Sequence, residues 1–126
     1  TVLQYTFGTA KEEWKPRTGT ATITVATDAL NSDIQNGYGK SMVRFLMPVD
    51  PVGTAFKIQH CTTIDGTFRD LQNDAGQACS FDVTEDNKGK WVTLDIKERM
   101  ARDLFFFRFV SNDTETANQS IEYQLG

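Results

Sequence analysis

Residues 20–26 read Thr-Ala-Thr-Ile-Thr-Val-Ala, with Ala21, Ile23 and Val25 on one side and Thr20, Thr22 and Thr24 on the other. A period of two carried by β-branched residues is the pattern of a strand with one buried and one polar face. The same alternation returns in Val43, Phe45 and Met47; in Phe56, Ile58 and His60; in Cys79, Phe81 and Val83; in Val92, Leu94 and Ile96; and in Ile121, Tyr123 and Leu125. Leu3, Tyr5 and Phe7 give a first strand of the same kind. Phe105, Phe107 and Phe109 share one face of a late strand while Leu104, Phe106 and Val110 occupy the other, so that strand is apolar on both sides and is expected to be central or to meet another surface.

Between these runs lie turn chemistries. Asn36-Gly37, Asp65-Gly66 and Lys88-Gly89 each offer a glycine for positive φ, and Pro48 and Pro51 interrupt any ladder because proline lacks the amide donor. Residues 11–19 and 28–40 lack periodicity and are expected to be long loops or extended arms, and residues 97–103 suit a helical turn, with Glu98 four positions before Arg102. Short strands at this spacing define an all-β chain: a two-sheet antiparallel β-sandwich, jelly-roll-like, of eight to nine strands. With 126 residues it is expected to form one domain, residues 1–126, with residues 1–19 as a candidate N-terminal arm.

Charge narrows the partners. Lys and Arg number 13 against 17 Asp and Glu, so the surface lacks the basic excess that would neutralise a phosphate backbone, and neither nucleic acid nor anionic membrane is an expected partner. No stretch approaches the length of an apolar membrane span, and nothing reads as a targeting signal. An opening at Thr1 fits either an intracellular product trimmed of its Met or a mature secreted domain. Cys61 and Cys79 could make one bridge across a short loop but do not form a disulfide framework, and the favoured reading is reduced thiols, buried or half-buried.

Catalytic chemistry finds little footing. The chain has one imidazole, His60, on the same parity as Phe56 and Ile58, which suits a structural histidine better than a general base. One His and two Cys, the thiols eighteen positions apart, do not make a zinc site. The carboxylates Asp82, Glu85 and Asp86, and Asp113 with Glu115, read as solvated loop charge, without calcium-loop spacing. No phosphate-cradling glycine motif occurs. No catalytic, cofactor-binding or metal-binding residues are therefore assigned.

Residues 56–71 run Phe-Lys-Ile-Gln-His-Cys-Thr-Thr-Ile-Asp-Gly-Thr-Phe-Arg-Asp-Leu, a strand, an Asp-Gly turn and a second strand, and residues 105–110 add Phe-Phe-Phe-Arg-Phe-Val. This combination resembles small virion proteins of tailed bacteriophages, whose sandwich domains carry an Ile-Gln-His-Ser-like strand, an Asp-Gly-Thr-Phe turn and a late aromatic-Arg strand. The resemblance spans about half the chain, and Cys61 stands where those proteins carry a small hydroxyl residue. It implies a capsid decoration, or cement, protein: a non-enzymatic subunit, commonly a homotrimer, made in the host cytoplasm. Such a subunit sits on the virion's outer capsid surface and bridges major capsid proteins. Apolar residues on both faces of the late strand agree with a surface left to bury. The expected interface comprises Val2, Leu3, Tyr5 and Phe7 with Trp14, as an arm that adds by strand pairing to a capsid protein edge, together with Phe106 and Arg108. The competing expectation is a carbohydrate-binding module of sandwich type, with Trp14, Tyr38 and Trp91 as its aromatic platform.

Overall fold

The computed structural model describes residues 17–72, 76–94 and 104–126. Among the described residues nine strands form: β1 (Arg17–Ile23), β2 (Gln35–Lys40), β3 (Met42–Leu46), β4 (Ala55–Cys61), β5 (Arg69–Asp70), β6 (Ser80–Asp82), β7 (Trp91–Thr93), β8 (Leu104–Ser111) and β9 (Gln119–Leu125). Their antiparallel pairings nest: β1 with β9, β2 with β8, β3 with β7, and β4 with both β5 and β6. The chain is thus one long hairpin rolled so that successive pairs fall in opposite sheets, and the added pairings β3 with β9 and β4 with β8 close each sheet. The resulting orders, β1-β9-β3-β7 and β2-β8-β4-β5 with β6 also on β4, are those of a jelly roll.

The space between the sheets is filled by the inward row of each strand. Ala21, Ile23, Phe45, Met47, Phe56, Ile58, Phe107, Phe109, Ile121, Tyr123 and Leu125 are all buried there. Their centre is aromatic: Phe45 meets Phe81 at 5.1 Å and Phe109 at 5.4 Å, and Phe107 meets Tyr123 at 5.0 Å, mostly edge to face. Such pairs add about 0.5–1.5 kcal/mol each beyond area burial. Cys79 and Leu94 join this core as expected, Val83 and Val92 pack against it half-buried, and neither cysteine is in a disulfide, Cys79 being buried and Cys61 half-buried.

Four expectations are corrected. In β3 the buried residue is Met42, not Val43, because a register shift between Met42 and Arg44 inserts Val43 as an extra residue opposite β9. In β8 Leu104 is buried and Phe105 is 48% exposed, so strict alternation fails at the strand's start. The cause lies across the ladder, where Asn36 pairs with Phe106 but Lys40 with Leu104, so β2 bulges through Gly37, Tyr38 and Gly39. Asn36-Gly37 is therefore no hairpin turn: positive φ falls on Tyr38 (53°) and Gly39 (70°), and Gly37 is required because a Cβ there would overlap the Leu104 carbonyl. Gly66 likewise lacks positive φ, whereas Gly89 adopts it at 69°.

The expected loops at residues 11–19 and 28–40 also end in strands. β1 begins at Arg17 and stops at Ile23, where the Thr24 carbonyl accepts the amides of Thr27 and Asp28. β2 takes up the end of the second segment and carries Tyr38 within its bulge rather than in a loop. The first strand at Leu3, Tyr5 and Phe7, the rest of the candidate arm before Arg17, Ile96 and the helical turn at 97–103 lie outside the described residues.

Phe109→Ala removes a fully buried ring in contact with Phe45, Phe107 and Tyr123. The expected loss is about 3–5 kcal/mol of unfolding free energy. Urea denaturation of the variant against the wild-type chain measures it.

Candidate functional site

One side of the sandwich is bounded by β1, an edge of the first sheet, and β2, an edge of the second. Between them opens a cleft of about 530 Å³. Its floor is Tyr123, which reaches from β9 beneath Gly19 and donates its hydroxyl to Gln35 Oε1 at 2.7 Å. Gly19 is the residue that lets the ring lie there, since any Cβ would collide with the Tyr123 ring and hydroxyl. Burial, reinforced by the charge of Asp33 and by Tyr38, raises the Tyr123 pKa, so the phenol stays a neutral donor.

Both ends of the cleft are tied across. At one end Asp33 clasps the last turn of β1: its amide donates to the Thr22 carbonyl at 3.0 Å and its carboxylate accepts the Thr22 amide at 2.8 Å. At the other, the Arg17 guanidinium lies 4.0 Å above the Tyr38 ring. Ile34 and Tyr38 line the cleft and are 39% and 56% exposed.

A second, smaller cleft of about 250 Å³ lies on the outer face of the β1 sheet. Arg44 organises it, stacking 4.4 Å over the Trp91 ring and donating from Nε to Gln124 Oε1 at 2.7 Å. Thr18 and Gly19 border both clefts, which therefore flank the two faces of β1.

The outer face of the second sheet holds a polar chain anchored on Gln59. Its Oε1 accepts Arg108 Nε at 3.0 Å and Nη2 at 2.8 Å, its Nε2 donates to Asp70, and Lys57 reaches Asp70 at 3.1 Å. Arg108 also stacks 4.8 Å over Phe68. The bonds from Gln59 and Lys57 hold the Asp70 carboxyl below its ordinary range. Burial opposes ionisation of Asp28, but the amide and side chain of Asn31, the Leu30 amide and the charge of Arg108 together still lower its pKa. His60, half-buried near the end of β4, has its pKa lowered by desolvation and is neutral near pH 7.

Of the expected interface, Phe106 and Arg108 stand on the outward face of β8, Phe106 half-buried and Arg108 engaged with Gln59 and Phe68. Val2, Leu3, Tyr5, Phe7 and Trp14 lie outside the described residues. Tyr38 and Trp91 are exposed, but they sit on different sheets and border different clefts, and one face of each ring is taken by an arginine.

Glu115 departs from the reading of solvated loop charge. It is 1% exposed, and its carboxylate accepts the amides of Val52 and Gly53 and the Ser111 hydroxyl, each at 2.8 Å. It latches the proline-bounded loop between β3 and β4 onto the end of β8. No signal short of the fold could have found this, because the partners lie some sixty positions away in the chain. Among the described residues no three His, Cys, Asp or Glu side chains form a group able to hold a metal ion. Comparison of the chain with models of protein families, with curated proteins and with solved structures finds no match.

Two expectations follow. Gly19→Ala pushes a methyl group into Tyr123, and overpacking of this kind costs about 1–3 kcal/mol. Tyr123→Phe removes the closest atom, so the double variant is expected to lose less than the two single losses combined, read from a urea double-mutant cycle. Asp70 has a folded pKa below its ordinary 3.8, so its contribution is complete above that pH and disappears as pH falls through the folded value. The difference in urea midpoint between wild type and Asp70→Asn is expected to hold from pH 6 to about 4 and to shrink below pH 3.8.

Proposed function

We propose that this chain is a non-enzymatic virion structural protein, a decoration or cement subunit that binds the outer capsid surface and bridges major capsid proteins as a homotrimer. The observation that carries the reading is a set of three exposed apolar side chains on and beside the β2 edge, one each before β2, in its bulge and on β8. Ile34, Tyr38 and Phe105 are 39%, 56% and 48% exposed, and Phe105 reaches beside Gly39 in the β2 bulge. Contiguous exposed apolar groups rimmed by polar residues are typical of surfaces that bury against another protein. The jelly-roll sandwich supports the same reading because it gives such a surface a rigid frame, with the β2 edge fixed by the bulge and by pairing with β8. The resemblance of residues 56–71 and 105–110 to tailed-phage virion proteins supplies the capsid as the partner.

The glycan reading keeps one observation in its favour. Trp91 is 38% exposed and borders the smaller cleft with Arg44, Gln124 and Glu122, side chains able to bond sugar hydroxyls.

Analytical ultracentrifugation and co-sedimentation with expanded heads that lack the subunit separate the two readings. The decoration reading expects a mass three times that of the chain, saturable binding to heads and no retardation in glycan-containing gels. A monomer that ignores heads and is retarded by a polysaccharide would replace it with the sugar-binding reading.

A further inference from the structure

Among the described residues the four sheet edges differ in how they end. β7 has three residues, and the edge beside β4 is shared by β5 with two and β6 with three. β2 is broken by its bulge. Short, bulged strands are poor templates for further pairing. β1 is seven residues long, in unbroken register with β9, and rich in threonine.

Within β1 the backbone directions follow from the Asp33 clasp. Thr22 bonds Asp33 with both its N–H and its C=O, so both point away from β9. Residues two apart in an antiparallel strand direct their polar groups to the same side. The N–H and C=O groups of Thr18 and Thr20 therefore point outward too, and among the described residues no strand pairs with them. Such groups accept one kind of occupant in full, another extended backbone. Side chains alternating along that backbone would find seats on both faces of the edge. One seat is the cleft over Tyr123 beside Ile34 and Tyr38, and the other is the smaller cleft beside Arg44 and Glu122.

We propose that the outer edge of β1 at residues 18–21 is a strand-addition site. Its occupant is an extended segment of the capsid protein with alternating apolar and polar residues, the apolar ones packing on the exposed Ile34 and Tyr38 at the cleft between β1 and β2. The partner's identity rests on the functional reading above; the strand chemistry rests on the edge. The polarity is opposite to that of an arm reaching from this subunit, since here the subunit receives a strand.

Hydrogen exchange on the full chain, read by NMR, comes first. The Thr18 and Thr20 amides are expected to exchange at least 100-fold faster than those of Gly19 and Ala21, which face β9. Equal protection means that residues 1–16 or a second copy already cover the edge, and overturns the proposal. Co-sedimentation with expanded heads follows. Thr20→Pro deletes one outward N–H without touching the β9 ladder, and it is expected to lower head occupancy at least tenfold with the thermal midpoint held. Ile34→Glu, at a partly exposed cleft position, is expected to do the same through the side-chain seat and covers the case in which the proline variant fails to fold. Wild-type occupancy by either folded variant overturns the strand site alone, whereas a wild-type chain that ignores heads overturns the capsid reading and the proposed occupant with it.

Discussion

The two sheets are held in register with each other by a knot of rings, Phe45, Phe107, Phe109 and Tyr123, drawn from both sheets. Edge-to-face packing is directional, so the knot resists sliding of one layer over the other as well as separation. Its outermost member is Tyr123, which is at once core residue, floor of the edge cleft and hydrogen-bond donor to Gln35 on the opposite sheet. The shape of the cleft is therefore a consequence of core packing, and a perturbation of the core reaches the edge through one side chain.

Side chains at the ends of the strands answer loop and strand amides one by one, and each answer fixes a connection. Glu115 gathers the amides of Val52 and Gly53, Asn112 accepts those of Thr54 and Ala55, and Ser32 accepts the Phe109 amide while its own amide bonds the Phe109 carbonyl. An uncompensated buried carboxylate would be strongly destabilising, so the Glu115 site persists only because three donors converge on it. These clasps make the connections at both ends of the sandwich rigid. Against them the unpaired stretch of β1 stands out as backbone the described chain does not satisfy itself.

Legibility in the sequence followed the apolar rows. Wherever inward residues are large, as in β4, β9 and most of β8, the period of two locates the strand and its buried face. It failed where strand identity comes from a partner. β2 is Gln-Asn-Gly-Tyr-Gly-Lys, with no apolar row, and exists because β8 pairs with it. The start of β1 was missed because its inward position is Gly19, whose space Tyr123 fills from the neighbouring strand. Bulges at Val43 and at residues 37–39 shift parity by local backbone geometry that residue types do not announce. Of the candidate site, the exposure of Trp91 could be read from its parity against Val92 and Leu94. The edge could not, since which strand ends a sheet is a property of the whole topology.

Magnitudes decide what such an edge can accomplish. Each added backbone hydrogen bond contributes about 0.5–1.5 kcal/mol net, so pairing with Thr18 and Thr20 alone supplies about 2–6 kcal/mol. Association costs about 4–15 kcal/mol in lost translational and rotational freedom, so backbone pairing by itself would give no lasting complex. Apolar burial must make up the difference, at about 25 cal/mol per Å² removed from water. The cleft over Tyr123 and the exposed Ile34, Tyr38 and Phe105 lie where an incoming strand and its flanks would cover them. The backbone edge then sets direction and register, the exposed apolar side chains supply most of the affinity, and the Asp33 clasp fixes where pairing must stop.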